Sequence, residues 1–219
     1  MSAERPVIAV ADYGAGNLVS IDQALTAVGA RVVVATAAAQ LSGADALIVP
    51  GVGAAAPAME RLDRQGLTGA IRDWIGAGRP FLGICLGLQL LFEGSDEDGA
   101  VTLGVLRGRT RRLAGAPTLP HIGWNQVERR REHPLFDGIA DSADFYFVHS
   151  FAGEPGPDGE AAILADTSHG SRFVSAVAAG PVLGVQFHPE RSGTDGLRLL
   201  ANFVEIVRAT APIASRMAV

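Results

Sequence analysis

The stretch GICLGLQLLFE (residues 83–93) decides the fold, because it joins a buried strand to a helix through a single cysteine. Residues 80–84 form a short apolar run that predicts a buried strand, and residues 86–92 predict a helix. Cys85 stands at the junction with a glycine two residues to either side, which is the layout of a nucleophile elbow. The N-terminus of the helix would face the sulfur and favour its thiolate form. A lone cysteine is more often a buried core residue, but the flanking glycines favour the elbow.

The apolar runs that precede this stretch alternate with helical patterns. The expected strands are residues 7–10, 31–35, 46–49 and 80–84, and the residues at helical spacing are Leu18, Ile21, Leu25 and Val28, then Leu67, Ile71, Trp74 and Ile75. Strands that are apolar throughout are typical of a parallel sheet covered on both faces. The first half therefore predicts an α/β fold with a mostly parallel sheet flanked by helices.

The second half has shorter patterns. Residues 101–127 predict short strands separated by turns, and residues 145–148 predict another strand. We expect residues 152–159, which are rich in Gly, Pro and acidic residues, to be a loop. The remaining patterns are a hairpin of residues 173–178 and 182–187 around Gly180–Pro181, and a closing helix marked by Leu200, Phe203, Val204 and Val207. No linker divides the chain, so we expect one domain over residues 1–219.

The composition excludes several classes of protein. Hydrophobic residues make up 48% of the 219 residues and charged residues 19%, which suits a globular core rather than a disordered chain. A net charge of −5 gives no reason to expect nucleic acid. The basic residues within 107–112 and 129–131 are interpreted as solvated faces, with a docking surface as the alternative.

The sequence also gives expectations about membrane segments and about the cellular compartment. No apolar stretch approaches the roughly 20 residues that span a bilayer, so we expect no membrane segment. Residues 1–6 lack the longer apolar stretch of a secretory signal. The single cysteine excludes an internal disulfide and fits a reducing compartment, so we expect a cytoplasmic protein.

The segment GVQFHPERS (residues 184–192) offers groups that would activate the cysteine. His188 and Glu190 are two residues apart at the end of an apolar strand, and Pro189 biases His188 toward an extended backbone. His188 would accept the proton of Cys85 while Glu190 holds the other nitrogen of the imidazole. Alone, this segment would be better interpreted as a surface histidine beside a capping glutamate. Together with the elbow it predicts a Cys-His-Glu triad.

Two further segments lie where strands should end, which is where open α/β sheets place ligands. PGVGA (residues 50–54) is a glycine-rich turn whose backbone N–H groups could face a developing oxyanion, although it is also compatible with an ordinary tight turn. YFVHS (residues 146–150) could line a pocket with backbone groups. His149 is a second candidate base, ranked below His188 because no acidic residue lies near it in the sequence.

At these residues the sequence resembles the class I (triad) glutamine amidotransferases, whose two signatures are the Gly-Ile-Cys-Leu-Gly elbow and the late His-Pro-Glu. Additional motifs narrow the resemblance to the glutaminase subunits of imidazole glycerol phosphate synthase, an enzyme of histidine biosynthesis. The motifs are DYGAGNL (12–18), PGVGA (50–54), GICLGLQLLFE (83–93), HIGWNQV (121–127), YFVHSF (146–151) and FHPERS (187–192). They are spread over most of the chain, and the resemblance implies a single-domain, flavodoxin-like α/β fold.

The resemblance also implies a chemistry and the residues that perform it. Cys85, His188 and Glu190 match the catalytic triad, in which the sulfur attacks the side-chain amide of L-glutamine, ammonia leaves, and water releases glutamate from the thioester. Other positions match the rest of the site: Val52, Gly53 and Leu86 at the oxyanion hole, and Gln89, Glu97, His149, Ser150 and Phe151 around the substrate. No cofactor and no metal are implied.

A partner is implied as well. The resemblance predicts a heterodimer with a (β/α)8-barrel cyclase subunit that receives the ammonia, and little glutaminase activity without it. We expect Asn17, Trp124, Asn125 and Tyr146 near the partner, with DYGAGN and HIGWNQ in loops. Trp is a frequent interface anchor, but Trp124 is equally compatible with a core position. The glycine-flanked strand at residues 50–53 could be held misaligned until docking reorients a peptide.

Three alternatives stay open at this point. Another class I glutaminase, such as the subunit of pyridoxal phosphate synthase or anthranilate synthase, would share the triad and differ only in the flanking motifs. A cysteine peptidase-like hydrolase of the same topology would turn over peptides without a partner. A non-catalytic scaffold would have no need of the cysteine, histidine and glutamate together.

Overall fold

The apolar runs of the sequence form the strands of a large sheet in a computed structural model, which describes residues 5–210. The strands are β1 Val7–Ala11, β2 Arg31–Ala35, β3 Ala46–Val49, β4 Phe81–Ile84, β5 Gly94–Ser95, β6 Gly108–Arg112, β7 His121–Arg129, β8 Ala143–His149, β9 Phe151–Pro155, β10 Ile163–His169, β11 Ser171–Ala179 and β12 Val182–Val185. The α-helices are α1 Leu18–Ala27, α2 Ala55–Arg64, α3 Leu67–Gly76, α4 Leu86–Gln89 and α5 Gly193–Thr210, and 3-10 turns occupy Ala38–Leu41, Pro134–Phe136, Glu160–Ala162 and Pro189–Arg191.

The main sheet has two halves of different character. Its nine strands lie in the order β2-β1-β3-β4-β12-β11-β10-β7-β8. The strands from β2 to β12 are parallel, and from β12 onward each neighbouring pair is antiparallel. We call these the parallel half and the antiparallel half. A smaller sheet, β5-β6-β9, lies outside the main one.

Both faces of the parallel half are covered, as its uniformly apolar strands require. Alternate residues of β1 enter different core layers, because successive side chains of a strand point to opposite faces. Ile8 packs in one layer with residues of α1 and α5, and Ala9 packs in the other with residues of α2 and α3. The predicted α/β fold with helices on both faces of the sheet is confirmed.

Two expectations about helices need correction. One helix was expected between the third and fourth strands, but the chain forms two, because Gly66 adopts a left-handed φ of 67° between α2 and α3. The helix expected at residues 86–92 ends at Gln89. The predicted hairpin around Gly180–Pro181 and the closing helix are confirmed as β11–β12 and α5.

The sequence-based expectations about strands are wrong at several places in the antiparallel half and in the small sheet. Residues 152–159 were expected to be a loop, yet most of β9 lies there and pairs with β6, despite its glycine and proline. HIGWNQ was expected in a loop, yet it forms the start of β7. The strand β10 was not predicted at all. The strand β9 depends on a partner distant in sequence, so its local composition does not reveal it. The strand β10 pairs with β11 directly after Gly170, and we have no physical account of why its pattern was missed.

The carboxyl ends of β3, β4 and β12 meet at one edge of the sheet, which places the predicted motifs together. Within residues 5–210 no helix is long and apolar enough to cross a membrane. The expectations about residues 1–6 and about one domain over residues 1–219 extend beyond the described range.

Candidate active site

Cys85 occupies the predicted elbow between β4 and α4, with a backbone that few non-glycine residues adopt. Its φ is 53° and its ψ is −106°, and its N–H donates to the carbonyl oxygen of Val185 at 2.8 Å. Strain of this kind persists only where the surroundings enforce it, and it is concentrated at functional sites. The side chain is nearly buried, at 4% exposure.

The glycines on either side are required by close backbone packing. A Cβ on Gly83 would lie 2.5 Å from the carbonyl oxygen of Gly87, and a Cβ on Gly87 would overlap the carbonyl oxygen of Val49. The turn between strand and helix can therefore be this tight only because both positions lack a side chain. The interpretation of Gly-Ile-Cys-Leu-Gly as an elbow is confirmed.

His188 and Glu190 form a buried pair beside the cysteine. The Nδ1–H of His188 donates to Oε1 of Glu190 at 2.9 Å, and both side chains are almost inaccessible. His188 is extended as predicted, but Glu190 lies in the 3-10 turn that follows, so the contact does not come from alternation along a strand. Nε2 of His188 has no hydrogen-bond partner within the described residues and is left free for the sulfur.

Electrostatics favour the charged form of this histidine. Burial lowers the pKa of His188, but the charge of Cys85 and the carboxylate of Glu190 outweigh burial and raise the pKa to about 10. Because one pH unit corresponds to about 1.4 kcal/mol, the site holds an imidazolium firmly when the sulfur is a thiolate. A thiolate–imidazolium pair is the state in which a cysteine attacks an amide and a histidine protonates the leaving group.

Gln186 also contacts the sulfur, and the sequence patterns did not single it out. Its Nε2 donates to Sγ of Cys85 at 3.5 Å and its Oε1 accepts from Nε2 of Gln89 at 3.1 Å. On the other side, Sγ lies 4.0 Å from the carbonyl oxygen of Val148. The available signal was the place of Gln186 within GVQFHPERS, at the end of β12, next to the elbow strand.

The turn at residues 50–53 is hydrogen-bonded to the residue that follows Cys85. The N–H of Leu86, which follows the nucleophile, donates to the carbonyl oxygen of Gly51 at 3.3 Å. Gly53 has a left-handed φ of 91°, and the side chain of Val52 is exposed. The N–H of Leu86, which the sequence predicts at the oxyanion hole, thus has an acceptor within the protein.

Tyr13 is hydrogen-bonded to the first residue of this turn. It is 1% exposed, and its hydroxyl donates to the carbonyl oxygen of Pro50 at 2.7 Å. Burial and the charge of Cys85 raise the pKa of Tyr13 far above its usual value. The phenol therefore stays protonated and remains a donor. Tyr13 belongs to the DYGAGN motif, for which the sequence offered only a role in the partner interface.

A cleft of about 210 Å³ opens directly above Cys85. Its walls are formed by Val52, Gly53, Ala54, Cys85, Leu86, Gln89, Glu97, Pro120, Val148, His149, Ser150 and Phe151. Every position expected at the oxyanion hole or around the substrate is in this set. Glu97 lies at the rim, where partial burial and the neighbouring Asp98 raise the pKa of its carboxyl group. A larger cavity near Arg107 and Gly180 contains none of the predicted residues.

His149 belongs to a chain of hydrogen bonds rather than to a second catalytic pair. Its Nδ1 lies 2.8 Å from the carbonyl oxygen of Phe151, which can only accept, so Nε2 accepts from Nδ1 of His121 at 3.1 Å. His121 in turn accepts from Asn125 at 3.2 Å. Burial, which outweighs the hydrogen bond to Phe151, lowers the pKa of His149 to about 3, and burial also lowers the pKa of His121 to about 4. A neutral histidine with both nitrogens engaged is a poor base, which supports the ranking of His188 above it.

The residues expected at the partner face lie in two settings. Trp124 is 57% exposed on β7 and touches the half-buried Tyr146 of β8, so the core position for this tryptophan is wrong. Asn17 is exposed and caps α1 through a hydrogen bond from the N–H of Ser20 at 3.3 Å. The amide of Asn125 instead turns inward to His121 and to the carbonyl oxygen of Ser168.

The basic cluster is occupied by local partners. Arg109 pairs with Asp96 at 2.6 Å, and Arg111 pairs with Glu154 at 3.2 Å, and all four side chains are exposed to solvent. Arg130 pairs with the buried Asp166. These ion pairs favour the interpretation of the basic residues as solvated faces. Each exposed pair contributes little stability.

Comparison with known proteins places this arrangement in a class. The family model described as glutamine amidotransferase class-I matches residues 9–207. A solved structure entitled crystal structure of glutamine amidotransferase superimposes with a TM-score of 0.71 over 92% of this chain and 98% of that one, at 24% identity. A chain in the structure of PurLQS from Thermotoga maritima gives 0.74 over 93% and 100%, at 18% identity, and at such identities the likeness concerns the fold alone. The chain belongs to the class I glutamine amidotransferases.

Curated relatives define the family within that class. Imidazole glycerol phosphate synthase subunit HisH of Symbiobacterium thermophilum is 48% identical over 91% of this chain and 94% of its own length. The protein of the same name from Thermococcus kodakarensis is 48% identical over 90% and 98%. This chain is therefore a member of the HisH family, the glutaminase subunits of imidazole glycerol phosphate synthase in histidine biosynthesis, and it works as an enzyme within a complex of subunits. The alternatives of another class I glutaminase, a peptidase and a scaffold are set aside.

Proposed function

We propose that this chain hydrolyses L-glutamine at Cys85 and passes the ammonia to a (β/α)8-barrel cyclase subunit, which forms imidazole glycerol phosphate and aminoimidazole carboxamide ribotide. The observation that carries the proposal is the strained Cys85 at the floor of a cleft, beside the His188–Glu190 pair at 2.9 Å. The cleft volume of about 210 Å³ suits a free amino acid better than an extended peptide. The proposal extends to one domain over residues 1–219, and to the cytoplasm, where a nucleophilic thiol stays reduced.

In the first half of the reaction, Sγ of Cys85 adds to the side-chain amide carbon of glutamine. The amide oxygen becomes an oxyanion, and the imidazolium of His188 gives its Nε2 proton to the leaving nitrogen, so that ammonia departs and a thioester remains. Glu190 keeps the ring oriented through Nδ1 and stabilises its positive charge.

In the second half, water replaces ammonia. Neutral His188 takes a proton from the water molecule, whose oxygen attacks the thioester carbon, and the collapse of the tetrahedral intermediate releases glutamate and regenerates the thiolate. We propose that Gln89, Glu97 and the backbone of residues 149–151 hold the amino acid, and their position in the walls of the cleft supports this.

The oxyanion hole is where we propose that the partner acts. Val52, Gly53 and Leu86 are its proposed members, and the N–H of Leu86 is engaged by the carbonyl oxygen of Gly51 at 3.3 Å. Rotation of the peptide between Gly51 and Val52 would remove that oxygen and present the N–H of Val52 in its place. Coupling this rotation to docking would keep glutamine from being hydrolysed when no acceptor for ammonia is present.

We place the docking surface on the outer face of β7 and β8. Ile122 is 59% exposed and Trp124 is 57% exposed, and both project to the same side of β7. Exposed apolar side chains of this size, with Tyr146 beside them, are typical of an interface core. Asn17, at the start of α1, is proposed to contact the partner at the rim, and Asn125 to act through its hydrogen bonds to the inner face of β7.

The test is glutamate release from glutamine, measured with and without the barrel cyclase and its nucleotide ligand. We expect little release by the chain alone and a large increase in the complex. Substantial activity of the isolated chain, or none in the complex, would contradict the proposal.

A substitution at the nucleophile tests the assignment of Cys85. In the complex, Cys85→Ala should abolish synthesis from glutamine while synthesis from added ammonia persists, because only the glutaminase step uses the sulfur. Glutamine-dependent synthesis that survives in Cys85→Ala would show that another group is the nucleophile.

A further inference from the structure

Gln186 is a polar side chain with no exposed surface, placed between the nucleophile and the wall of the cleft. Burial of an amide is costly unless its donors and acceptors are paired. The backbone N–H of Gln186 donates to the carbonyl oxygen of Ser175 at 2.9 Å, which fixes the residue to the end of β12. Its side chain then reaches Cys85 on one side and Gln89 on the other.

The orientation of both amides follows from one carbonyl group. Nε2 of Gln89 lies 2.7 Å from the carbonyl oxygen of Phe151, which can only accept a hydrogen bond. The second hydrogen of that nitrogen points to Oε1 of Gln186 at 3.1 Å. Nε2 of Gln186 is therefore the atom that faces Sγ of Cys85 at 3.5 Å, and it faces the sulfur as a donor.

This arrangement has consequences at both ends. A donor directed at sulfur favours the thiolate over the thiol, whereas the carbonyl oxygen of Val148, 4.0 Å away, favours the thiol. At the other end, both hydrogens of Gln89 are committed to protein acceptors. Oε1 of Gln89 is the atom left for a ligand in the cleft, where it suits the ammonium group of an amino acid.

We propose that Gln186 is a positioning residue of the glutaminase reaction, which holds the sulfur of Cys85 in its reactive form and fixes the amide of Gln89 toward the substrate. The inference rests on the proposed function, because it assigns Gln186 to the same site. It states that two contacts of one side chain serve two separable steps, namely nucleophile activation and substrate binding.

Other groups also act on the sulfur. His188 faces it from the segment after β12 with Glu190 behind the imidazole, and Tyr13 interacts with it electrostatically from the loop after β1. None of these groups is altered in the variants below, so a change in the behaviour of the sulfur reports on Gln186.

The first measurement is the rate of alkylation by iodoacetamide as a function of pH. Cys85 is the only cysteine of the chain, so the label reports a single sulfur. In Gln186→Met, which keeps the length and removes the donor, we expect the midpoint of the profile to rise by about one pH unit and the rate at pH 7 to fall roughly tenfold. Gln186→Glu replaces the donor with a carboxylate and should raise the midpoint at least as far.

The second measurement is steady-state glutamine hydrolysis in the complex with the cyclase. Gln186→Met loses both contacts, so we expect kcat to fall and KM to rise, each roughly tenfold. Gln186→Glu keeps an acceptor for Gln89, so its KM should stay within about twofold of the wild-type value while kcat falls. A role confined to packing would not separate the two constants in this way.

Ser175→Ala is the matched control. Ser175 lies in β11 beside Gln186, is fully buried, and its hydroxyl has no hydrogen-bond partner among the described residues. Its removal should leave both the alkylation profile and the kinetic constants at wild-type values. Thermal unfolding checks that each variant is folded, and Gln186→Glu, which is nearly isosteric, replaces Gln186→Met if the latter does not fold.

The outcomes separate this inference from the function on which it rests. If the wild-type complex hydrolyses glutamine and both variants of Gln186 are alkylated with the wild-type profile, the inference is wrong and the proposed function stands. If the wild-type complex does not hydrolyse glutamine, the proposed function fails, and the alkylation profiles still decide whether Gln186 acts on the sulfur.

Discussion

The parallel and antiparallel halves of the main sheet differ in burial and in the residues that they place around the candidate site. In the parallel half, β3, β4 and β12 are buried along their whole length and are followed directly by Pro50, Cys85 and Gln186. In the antiparallel half, β7 and β8 have one inner face toward the core and one outer face that bears exposed apolar side chains. The proposed nucleophile therefore lies in the parallel half, whereas the exposed apolar side chains that we propose for docking lie in the antiparallel half.

Two buried histidines, one from each half of the sheet, show this difference. His188 follows a parallel strand, and its pKa is raised to about 10, since Cys85 and Glu190 outweigh the effect of burial. His149 ends β8, and its pKa is lowered to about 3, mainly by burial. One histidine is equipped to carry a proton and the other to stay neutral and hold the carbonyl group of Phe151.

The two halves are joined by hydrogen bonds at Tyr146. The N–H of His188 donates to the carbonyl oxygen of Tyr146 at 2.9 Å, and the N–H of Tyr146 donates to Oγ of Ser192 at 3.0 Å. Oγ of Ser192 donates in turn to the carbonyl oxygen of His188 at 2.6 Å. These hydrogen bonds connect His188, the proposed catalytic base, to β8, which belongs to the proposed docking surface.

The largest expected effect is a loss of stability when a side chain is added at Gly87, where the backbone of the parallel half is most closely packed. Gly87→Ala would force a Cβ into the carbonyl group of Val49, and we expect a loss of about 4 kcal/mol or more in the free energy of unfolding, or failure to fold. Urea denaturation measures the free energy of unfolding. Gly69→Ala, in α3 with open space around the added Cβ, is the control and should be neutral or slightly stabilising. Similar losses in both variants would refute the steric argument.

The next effect concerns the outer face of the antiparallel half. Trp124→Ala should weaken binding of the cyclase roughly 30-fold, about 2 kcal/mol, since large exposed aromatics at interfaces dominate affinity. Calorimetric titration gives the affinity, and the stability of the isolated chain should hardly change. Val34→Ala, an exposed apolar residue on the opposite edge strand β2, should bind normally. An unchanged affinity in Trp124→Ala would show that the docking surface does not include Trp124.

A smaller effect is expected where the halves are joined. Ser192→Ala leaves the N–H of Tyr146 without its acceptor, which costs about 1–3 kcal/mol of stability when the group is buried. The carbonyl oxygen of His188 loses one of its two donors and keeps the N–H of Arg191 at 3.0 Å. Because the base is then less firmly placed, kcat for glutamine in the complex should fall about tenfold, with KM little changed. If kcat is unaffected while stability drops, Ser192 supports the fold but does not position His188.

The last effect, the smallest over any single pH unit, is a pH dependence that comes from His149. Since the pKa of His149 is lowered to about 3, the unfolded chain binds a proton near pH 6.5 that the folded chain does not. Stability is therefore lost as pH falls from about 6.5, by about 1.4 kcal/mol per pH unit from this residue. His149→Asn should reduce that slope between pH 6 and pH 4 in chemical denaturation. Identical slopes would mean that His149 is charged in the folded protein.

Much of the site was predictable because its signals are local. The backbone of Cys85 follows from the two glycines that flank it, and the pairing of His188 with Glu190 needs only two residues of separation and a turn. The apolar runs of β1, β3, β4 and β12 predict a sheet covered on both faces, since only burial on both sides accommodates strands without polar positions. The sequence therefore sufficed to predict the class of the protein, which is confirmed, and to propose Cys85 as the nucleophile.

Other features were decided only by the tertiary structure. Gln186 meets Cys85, and Tyr13 meets Pro50, because separate strands end at one edge of the sheet, and no spacing along the chain encodes those contacts. The strand β9 forms in a segment rich in glycine and proline because β6 supplies its hydrogen bonds from a distance. The engagement of the N–H of Leu86 by Gly51 likewise depends on a single peptide orientation, which glycine leaves free and which only packing selects.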